Sequence, residues 1–173
     1  MFELRTERLT FRHGTAADVE AIHAIVSDWE VVKNLGTWPY PANLAFTINR
    51  IVNQPERNRG LAGTVRVGDE IIGGMGLIDG ELGYMIAPAH WGKGYATEIG
   101  RRLVDYGLDS YSWLSVIGGA HVDNPASCRV LEKIGFEPTG TEMSGCAARG
   151  CDVETRTYVL TRERWDALRN AGR

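Results

Sequence analysis

The chain has 173 residues, of which 43% are hydrophobic and 24% are charged, and its formal net charge is −3 at pH 7. This length suits one domain with its own core, so we expect residues 1–173 to form a single unit. The small acidic charge argues against nucleic-acid binding through bulk electrostatics. Three cysteines without a CxxC spacing, and no apolar run of signal-peptide or membrane-spanning character, predict reduced thiols, no metal site, no membrane association and a cytoplasmic protein.

The first sixty residues predict one strand followed by two helices. Residues 4–12 alternate sufficiently for a strand. Thr15 and Asp18 have the spacing of a capping box, and helical periodicity follows them. Asn43 is placed to cap the second helix. Between the helices, the prolines of Trp38-Pro-Tyr-Pro41 exclude regular structure.

From residue 61 the hydrophobic period changes from helical to alternating. Strands are predicted at residues 61–67, 70–78 and 81–87, with tight turns at Gly68-Asp69 and Asp79-Gly80, which makes an antiparallel meander. Glycine weakens a strand interior, so several glycines there indicate a bulge or close approach of a ligand, with neutral variation as the alternative. They stand at positions 73, 74, 76 and 83.

The stretch Trp91-Gly-Lys-Gly-Tyr-Ala-Thr-Glu98 combines a glycine loop with the start of a long amphipathic helix. Glycines let the backbone approach a ligand, and the first turn of a helix offers free N–H groups at its positive end. Together these features favour phosphate binding, although an ordinary loop before a helix would look similar. On the polar face of the helix, Glu98 and Arg102 have the i,i+4 spacing of an ion pair.

The last third predicts a strand at residues 114–122, a helix, two further strands and a short fraying helix after Thr161. Asn124 stands at the N-cap of the first helix, Pro125 at its first position and Gly135 just after its end. The order is β-α-α-β-β-β-α-β-α-β-β. This order predicts an α/β (α+β) fold with a mixed, mainly antiparallel sheet flanked by helices.

Three motifs resemble the GNAT superfamily of acyl-CoA-dependent N-acetyltransferases, and most of all its RimJ/RimL-like branch of ribosomal-protein N-terminal acetyltransferases. The glycine loop resembles the pyrophosphate loop of that branch, although Trp91 replaces its usual Gln or Arg. Asn124-Pro-Ala-Ser127 with the helix that follows resembles the second signature, and Thr6-Glu-Arg-Leu-Thr-Phe-Arg12 resembles the opening strand. The likeness covers nearly the whole chain.

The resemblance implies acetyl-CoA as co-substrate, and no metal. The pantetheine arm would pair like an extra strand with a bulged strand at residues 81–87, through the backbone of Met85, Ile86 and Ala87, and an N–H near Met85 would stabilise the oxyanion. The rest of the expected coenzyme A site is Trp91, Gly92, Lys93, Gly94, Tyr95, Ala96, Asn124, Ser127 and Lys133. Lys93 could act through its charge or only through its N–H.

The catalytic residues are less well defined by the sequence. Ser127 is either a general acid for the leaving thiolate, as the resemblance implies, or a first-turn hydroxyl that bonds locally. Cys146 stands where the branch is thought to place a glutamate base, and neither Glu142 nor Glu154 matches that position. Glu81 is a weak candidate base that could equally be solvent-exposed, and His121 or a water chain could take the proton instead.

The acceptor pocket is expected between the early helices and the proline loop. Trp38, Tyr40 and Tyr84, with Trp29, are its candidate lining residues, although clustered aromatics also form cores. The predicted function is acetyl transfer to a primary amine by direct attack in a ternary complex. A protein N-terminal α-amine is favoured over a small amine, and a non-catalytic acyl-CoA-binding module is the alternative. Monomer and homodimer both remain open, as do longer acyl groups.

Overall fold

The computed structural model describes residues 2–53, 55 and 58–172. The strands are β1 (Glu3–Arg5), β2 (Thr10–Arg12), β3 (Gly60–Val67), β4 (Glu70–Ile78), β5 (Glu81–Ile86), β6 (Ser115–His121), β7 (Glu137–Cys146) and β8 (Cys151–Thr161). The helices are α1 (Val19–Val26), α2 (Trp29–Val32), α3 (Leu44–Val52), α4 (Tyr95–Ser110), α5 (Pro125–Ile134) and α6 (Arg162–Asn170). No helix within the described ranges is long and apolar enough to cross a bilayer.

Within these residues the strands form one sheet in the order β1-β2-β3-β4-β5-β6-β8-β7. All neighbours are antiparallel except β5 and β6, which are parallel. A parallel pair needs a long crossover connection, and α4 supplies it. The predicted mixed, mainly antiparallel sheet flanked by helices is therefore confirmed.

The two faces of the sheet are covered by different helices. Leu103 and Leu131, from α4 and α5, belong to the larger buried cluster, whereas Ile22 and Ile51, from α1 and α3, belong to a smaller cluster that includes Met85. Successive strand residues point to opposite faces, so Tyr84 packs on the larger cluster and Met85 on the smaller one. The middle of β5 thus contacts both layers.

The prediction of one strand over residues 4–12 is wrong, because two short strands form an antiparallel hairpin there. Thr6 N–H donates to the Leu9 carbonyl at 3.0 Å, and the Thr6 hydroxyl accepts from Leu9 N–H at 3.0 Å, which closes the turn. At the other end of the chain, α6 is capped by Thr161 and Trp165 is only 2% exposed, so this helix is tied to the core rather than frayed.

The resemblance predicts a bulged strand at residues 81–87, and the structure places the bulge one strand earlier. The β4–β5 register is continuous from Ile78↔Glu81 to Gly73↔Ile86. In the β3–β4 pair, Val65 faces Gly73 and Arg66 faces Ile71, so one residue of β4 is left over. A Cβ on Gly73 would lie 2.1 Å from the Met85 carbonyl oxygen. Close strand approach therefore accounts for this glycine.

Candidate active site

A gap opens between β5 and β6 after two residue pairs. Their register contains only Glu81↔Ile117 and Leu82↔Gly118. The Gly80 carbonyl accepts from Ile117 N–H at 2.8 Å, toward β6, whereas Ala87 N–H donates to Ile72, on the β4 side, at 2.7 Å. Backbone groups alternate in direction along a strand. The groups of residues 84 and 86 therefore face the gap.

This alternation refines the expected contacts to pantetheine. The backbone groups of Met85 and the N–H of Ala87 are directed to β4, and the Ala87 carbonyl accepts from His90 N–H at 2.9 Å. Of the three predicted residues, only Ile86 therefore presents its backbone to the gap, together with Tyr84 one pleat earlier. The Ile86 carbonyl already accepts a 2.6 Å hydrogen bond from the indole N–H of Trp91. Trp91, where the family pattern has Gln or Arg, thus lies against the edge of the gap.

The glycine loop has the backbone that phosphate binding requires. Gly92 and Gly94 have φ of 72° and 79°, in the left-handed region where glycine is favoured. Gly94 is the N-cap of α4 and no side chain caps it, so the first turn of the helix is not closed by a side-chain acceptor. A Cβ on Gly92 would meet nothing within 4 Å. The loop is an open cradle in which backbone N–H groups can bind a diphosphate.

The turn of the β1–β2 hairpin holds this loop in place. Arg8 donates to the Lys93 carbonyl at 3.0 Å and forms an ion pair with Glu98 at 2.6 Å. The Thr6 hydroxyl and Arg8 N–H also donate to the Glu98 carboxylate, at 2.5 and 3.0 Å. The predicted pairing of Glu98 with Arg102 is replaced by this long-range contact. Burial raises the pKa of Glu98, but the bonds from Thr6 and Arg8 outweigh it and lower the pKa.

Ser127 and Tyr84 form a hydrogen-bonded pair at the mouth of the gap. Asn124 caps α5 as predicted and accepts from Ser127 N–H at 3.3 Å. The two hydroxyl oxygens of Ser127 and Tyr84 are 2.7 Å apart, and the Tyr84 hydroxyl also donates to the Ser127 carbonyl at 3.1 Å. Burial raises the pKa of Tyr84 despite the hydrogen bond to Ser127, so Tyr84 is protonated at neutral pH.

A cavity of about 460 Å³ extends along the gap and the glycine loop. It gathers most of the residues that the resemblance assigns to coenzyme A, namely Met85, Ile86, Trp91, Gly92, Gly94, Tyr95, Ala96, Asn124, Ser127 and Lys133, and it is also lined by Tyr84, a predicted acceptor-side residue. Ala87 and Lys93 do not line it, and the Lys93 side chain is exposed. We call this space the first cavity.

A second cavity, of about 520 Å³, has a floor of β3–β5 residues that includes Gly74, Gly76 and Gly83, and walls from α3 and the segment at residues 35–38. A Cβ on Gly83 would meet nothing within 4 Å, so this glycine keeps the floor open. The two cavities share Leu35, Tyr84 and Met85.

The predicted acceptor-side residues divide between this cavity and other places. Trp38, Tyr84 and Glu81 line it. Tyr40 does not; its ring lies 5.0 Å from that of Trp29, and both side chains are largely exposed. Glu81 is four residues from Met85, a distance of about 13 Å along a strand, so it is remote from the place where the cavities meet.

The family described as "Acetyltransferase (GNAT) domain" matches residues 8–137. This chain belongs to the GNAT acetyltransferase family. Acyl-CoA-dependent N-acetyltransferase activity and acetyl transfer from acetyl-CoA to an amine follow from that membership.

Similar proteins agree with this assignment. The uncharacterized N-acetyltransferase YoaA of Bacillus subtilis is 31% identical over 173 residues, covering 93% of this chain and 97% of YoaA. The solved spermidine N-acetyltransferase of Vibrio cholerae, in complex with CoA and spermine, is 20% identical, with a TM-score of 0.75 over 92% of this chain and 99% of that one. RimL, a ribosomal L7/L12 α-N-protein acetyltransferase solved with coenzyme A, is 16% identical, with a TM-score of 0.76 over 92% and 98% of the two chains. At these identities the structural likenesses show the fold.

Cys146 stands at the position where a glutamate base is expected, and it packs in the interior of the protein. Cys146 is buried, and its thiol donates to the carbonyls of Lys33 and Leu35 at 3.4 and 3.5 Å. Arg149 donates to the same Lys33 carbonyl at 2.8 Å and pairs with Asp123 at 2.6 Å. The β7–β8 turn is thereby fastened to the segment after α2, and Cys146 offers no base.

The other candidate base, His121, lines neither cavity. Its side chain is buried, and Nδ1 has no hydrogen-bond partner among the described residues. Burial and then the charge of Arg149 lower the pKa of His121, and the opposing effect of Asp123 does not compensate. The imidazole is therefore neutral at pH 7. Within the same described ranges no group of His, Cys, Asp and Glu could hold a metal ion.

The residues that the sequence did not predict include Leu35, which lines both cavities, and Arg8 and Arg149, which fasten nearby loops. Leu35 belongs to a short segment between two predicted helices, Arg8 to a predicted strand, and Arg149 to a polar loop. Only the motif around Thr6 carried a signal, since its resemblance to the opening strand of the family placed Arg8 in a recognisable pattern. Leu35 and Arg149 carry no local pattern, because their contacts are with residues far away in the chain.

Proposed function

We propose that this chain acetylates the free α-amine of a polypeptide N-terminus by direct attack in a ternary complex. The observation that carries the proposal is the meeting of two cavities at Leu35, Tyr84 and Met85. Acetyl-CoA in the first cavity and an amine in the second would approach each other there without a covalent enzyme intermediate. The RimJ/RimL-like motifs, and the fold shared with RimL, favour an N-terminal amine as the acceptor.

The residues of this chain would divide the chemistry as follows. The N–H groups of the glycine loop hold the diphosphate, and the N–H groups of residues 84 and 86 in β5 are placed to stabilise the oxyanion. Ser127 donates a proton toward the departing thiolate, and the Tyr84 hydroxyl, 2.7 Å from the Ser127 hydroxyl, fixes its orientation. The thiolate is a good leaving group, so this acid contributes about tenfold or less.

None of the described residues that line both cavities carries a carboxylate, so the proton of the amine would leave through water. Glu81 lines the second cavity and is the carboxylate that could receive the proton at the end of a water chain. The same lack of a base motivates the alternative function, a non-catalytic acyl-CoA-binding module.

Thiol release distinguishes the two functions. Purified protein is mixed with acetyl-CoA and a panel of N-terminal peptides, polyamines and amino acids, and free thiol is measured. We expect turnover with peptides. Binding of acetyl-CoA without turnover of any acceptor would favour the binding module instead.

The coenzyme site is tested by calorimetry on two glycine variants. We expect the unaltered protein to bind acetyl-CoA with a Kd on the order of micromolar. Gly92→Val should raise this Kd at least tenfold, since a side chain at φ 72° distorts the cradle. Gly68→Val is the matched control: its φ is 55° and its Cβ position is equally open, but it lies in the β3–β4 turn. Equal Kd values for both variants would refute the cradle.

A further inference from the structure

The second cavity has an uneven distribution of charge. Of the described residues that line it, Arg50 is the one cation, while Asp79 and Glu81 lie at the β4–β5 turn. Asp79 is neutralised by an ion pair with Arg59 at 2.5 Å. Glu81 is exposed, at the start of β5. An acceptor in this cavity would therefore meet a positive group on the α3 wall and a negative group at the far end of the floor.

Arg50 is held in place by contacts other than an ion pair with a carboxylate of the described residues. Its guanidinium carbon lies 5.8 Å from the ring centre of Trp38 and 5.2 Å from that of Phe46, and one of its nitrogens donates to the Thr37 hydroxyl. None of the ion pairs within the described residues includes Arg50. Aromatic stacking leaves the planar edge of a guanidinium free for bidentate bonds to a carboxylate.

A short segment of chain links the guanidinium to the place where the two cavities meet. Its hydrogen-bond partner Thr37 is two residues beyond Leu35, one of the residues shared by both cavities. Two residues of extended chain span at most about 7 Å. A group bound at Arg50 would thus lie one or two residues away from an amine positioned where the cavities meet.

We propose that the second cavity selects an acceptor that carries a carboxylate one or two residues from the reacting amine, and that Arg50 binds this carboxylate. The proposal rests on the proposed function, because it takes the second cavity as the acceptor site. It goes further in naming an acidic second or third residue as the feature that the enzyme recognises. Glu81 strengthens the selection, because its charge would repel the carboxylate in the reversed orientation.

The experiment uses two pairs of tripeptide amides, Ala-Asp-Ala and Ala-Asn-Ala, and Ala-Ala-Asp and Ala-Ala-Asn, each with a free amino terminus. Thiol release gives kcat and KM, and calorimetry with CoA present gives the Kd of each peptide. We expect kcat/KM of at least one aspartate peptide to be about tenfold or more higher than that of its asparagine partner. The reason is that the asparagine side chain cannot form the hydrogen bond between two charged groups that aspartate forms with Arg50.

Arg50→Gln should abolish this preference by raising KM for the aspartate peptide about tenfold. The kcat values and the KM for the asparagine peptide should stay unchanged. Arg50→Lys, which keeps the charge but not the bidentate geometry, should retain part of the preference. Arg5→Gln is the matched control, because it removes the same charge from an exposed ion pair with Glu3 that is distant in the fold. Arg50 is exposed, so its variants should keep the thermal stability of the parent.

The outcomes separate this inference from the proposed function. Equal kcat/KM for aspartate and asparagine peptides would overturn the role of Arg50 and leave N-terminal acetylation standing. Tight binding of an aspartate peptide, sensitive to Arg50→Gln but without turnover, would support the carboxylate site and overturn catalysis. Neither binding nor turnover of any peptide would overturn both.

Discussion

Tyr84 is the residue at which the two halves of the site meet. Its hydroxyl contacts Ser127, which is 43 positions away in the sequence, and Tyr84 lines both cavities. Burial raises the pKa of this hydroxyl, so it is a weaker acid than an exposed tyrosine. In the proposed function, Tyr84 positions the Ser127 hydroxyl toward the leaving thiolate.

Tyr84→Phe tests this positioning role. We expect kcat to fall about tenfold or less, with KM for acetyl-CoA unchanged, since the contribution of an acid to a thiolate is small. The double variant with Ser127→Ala should be no slower than Ser127→Ala alone, because both changes remove one shared function. Tyr111→Phe, which alters a tyrosine stacked on Trp113, is the control. Additive losses in the double variant would show that the two hydroxyls act independently.

At the scale of elements, a hairpin holds a loop that lies 85 residues away. The turn between β1 and β2 reaches the first turn of α4 through Arg8 and Glu98. Arg8 neutralises a carboxylate that would otherwise repel the phosphates in the proposed site, and it fixes the Lys93 carbonyl between the two loop glycines. The opening motif of the chain therefore supports the proposed coenzyme site.

Arg8→Gln should raise the Kd of acetyl-CoA about tenfold while leaving kcat at saturation unchanged. The physical reason is that Glu98 loses its ion-pair partner and the Lys93 carbonyl loses a hydrogen bond from a charged donor. Such a hydrogen bond contributes about 1.5–3 kcal/mol. Calorimetry and steady-state kinetics measure the two effects. Arg5→Gln, on the same hairpin, should leave both unchanged. If the two variants behave alike, the hairpin has no role in binding.

At the scale of the whole molecule, a buried carboxylate connects the sheet to the helical layer that contains α1 and α3. Asp18 is 1% exposed and accepts from Arg12 at 2.7 and 2.8 Å and from Thr15 N–H at 2.8 Å. Arg66, from β3, approaches at 3.4 Å. Burial raises the pKa of Asp18, but the bonds from Arg12 and Thr15 outweigh it, and the net pKa is lowered.

Because the pKa of Asp18 is lower in the folded protein than in the unfolded chain, the free energy of unfolding decreases at acid pH. The contribution of Asp18 is present above its unfolded pKa of about 3.9 and is lost as pH falls through the folded pKa. Asp18→Asn should lower the free energy of unfolding at pH 7 by about 3 kcal/mol, because Arg12 is left half-buried without its partner. The difference from the parent should shrink below about pH 4.

Urea unfolding followed by tryptophan fluorescence at pH 7 and pH 3 measures both effects. Asp79→Asn is the control: it removes a carboxylate from an exposed pair and should change stability much less. A constant difference between Asp18→Asn and the parent across this pH range would contradict the assignment.

Elements with a local pattern were predictable from the sequence. The helix α5 begins and ends where its cap residues place it, at Asn124 and Gly135, and the Asp79-Gly80 turn joins β4 to β5 as predicted. The first hairpin was not predictable in the same way. Its two strands have three residues each, too few for an alternating pattern to reveal the turn between them.

The sequence by itself determined the fold class, the glycine loop and the helix that follows it, because hydrophobic period, caps and glycines act within a few residues of chain. Only the tertiary structure decided that Tyr84 meets Ser127, that Arg8 holds the loop, that Cys146 packs under Lys33 and that Arg50 lines the second cavity. The first three contacts join residues from 43 to 113 positions apart, and the second cavity has walls from separate elements. No local periodicity encodes such pairs; they arise when the sheet brings its edges, turns and covering helices together.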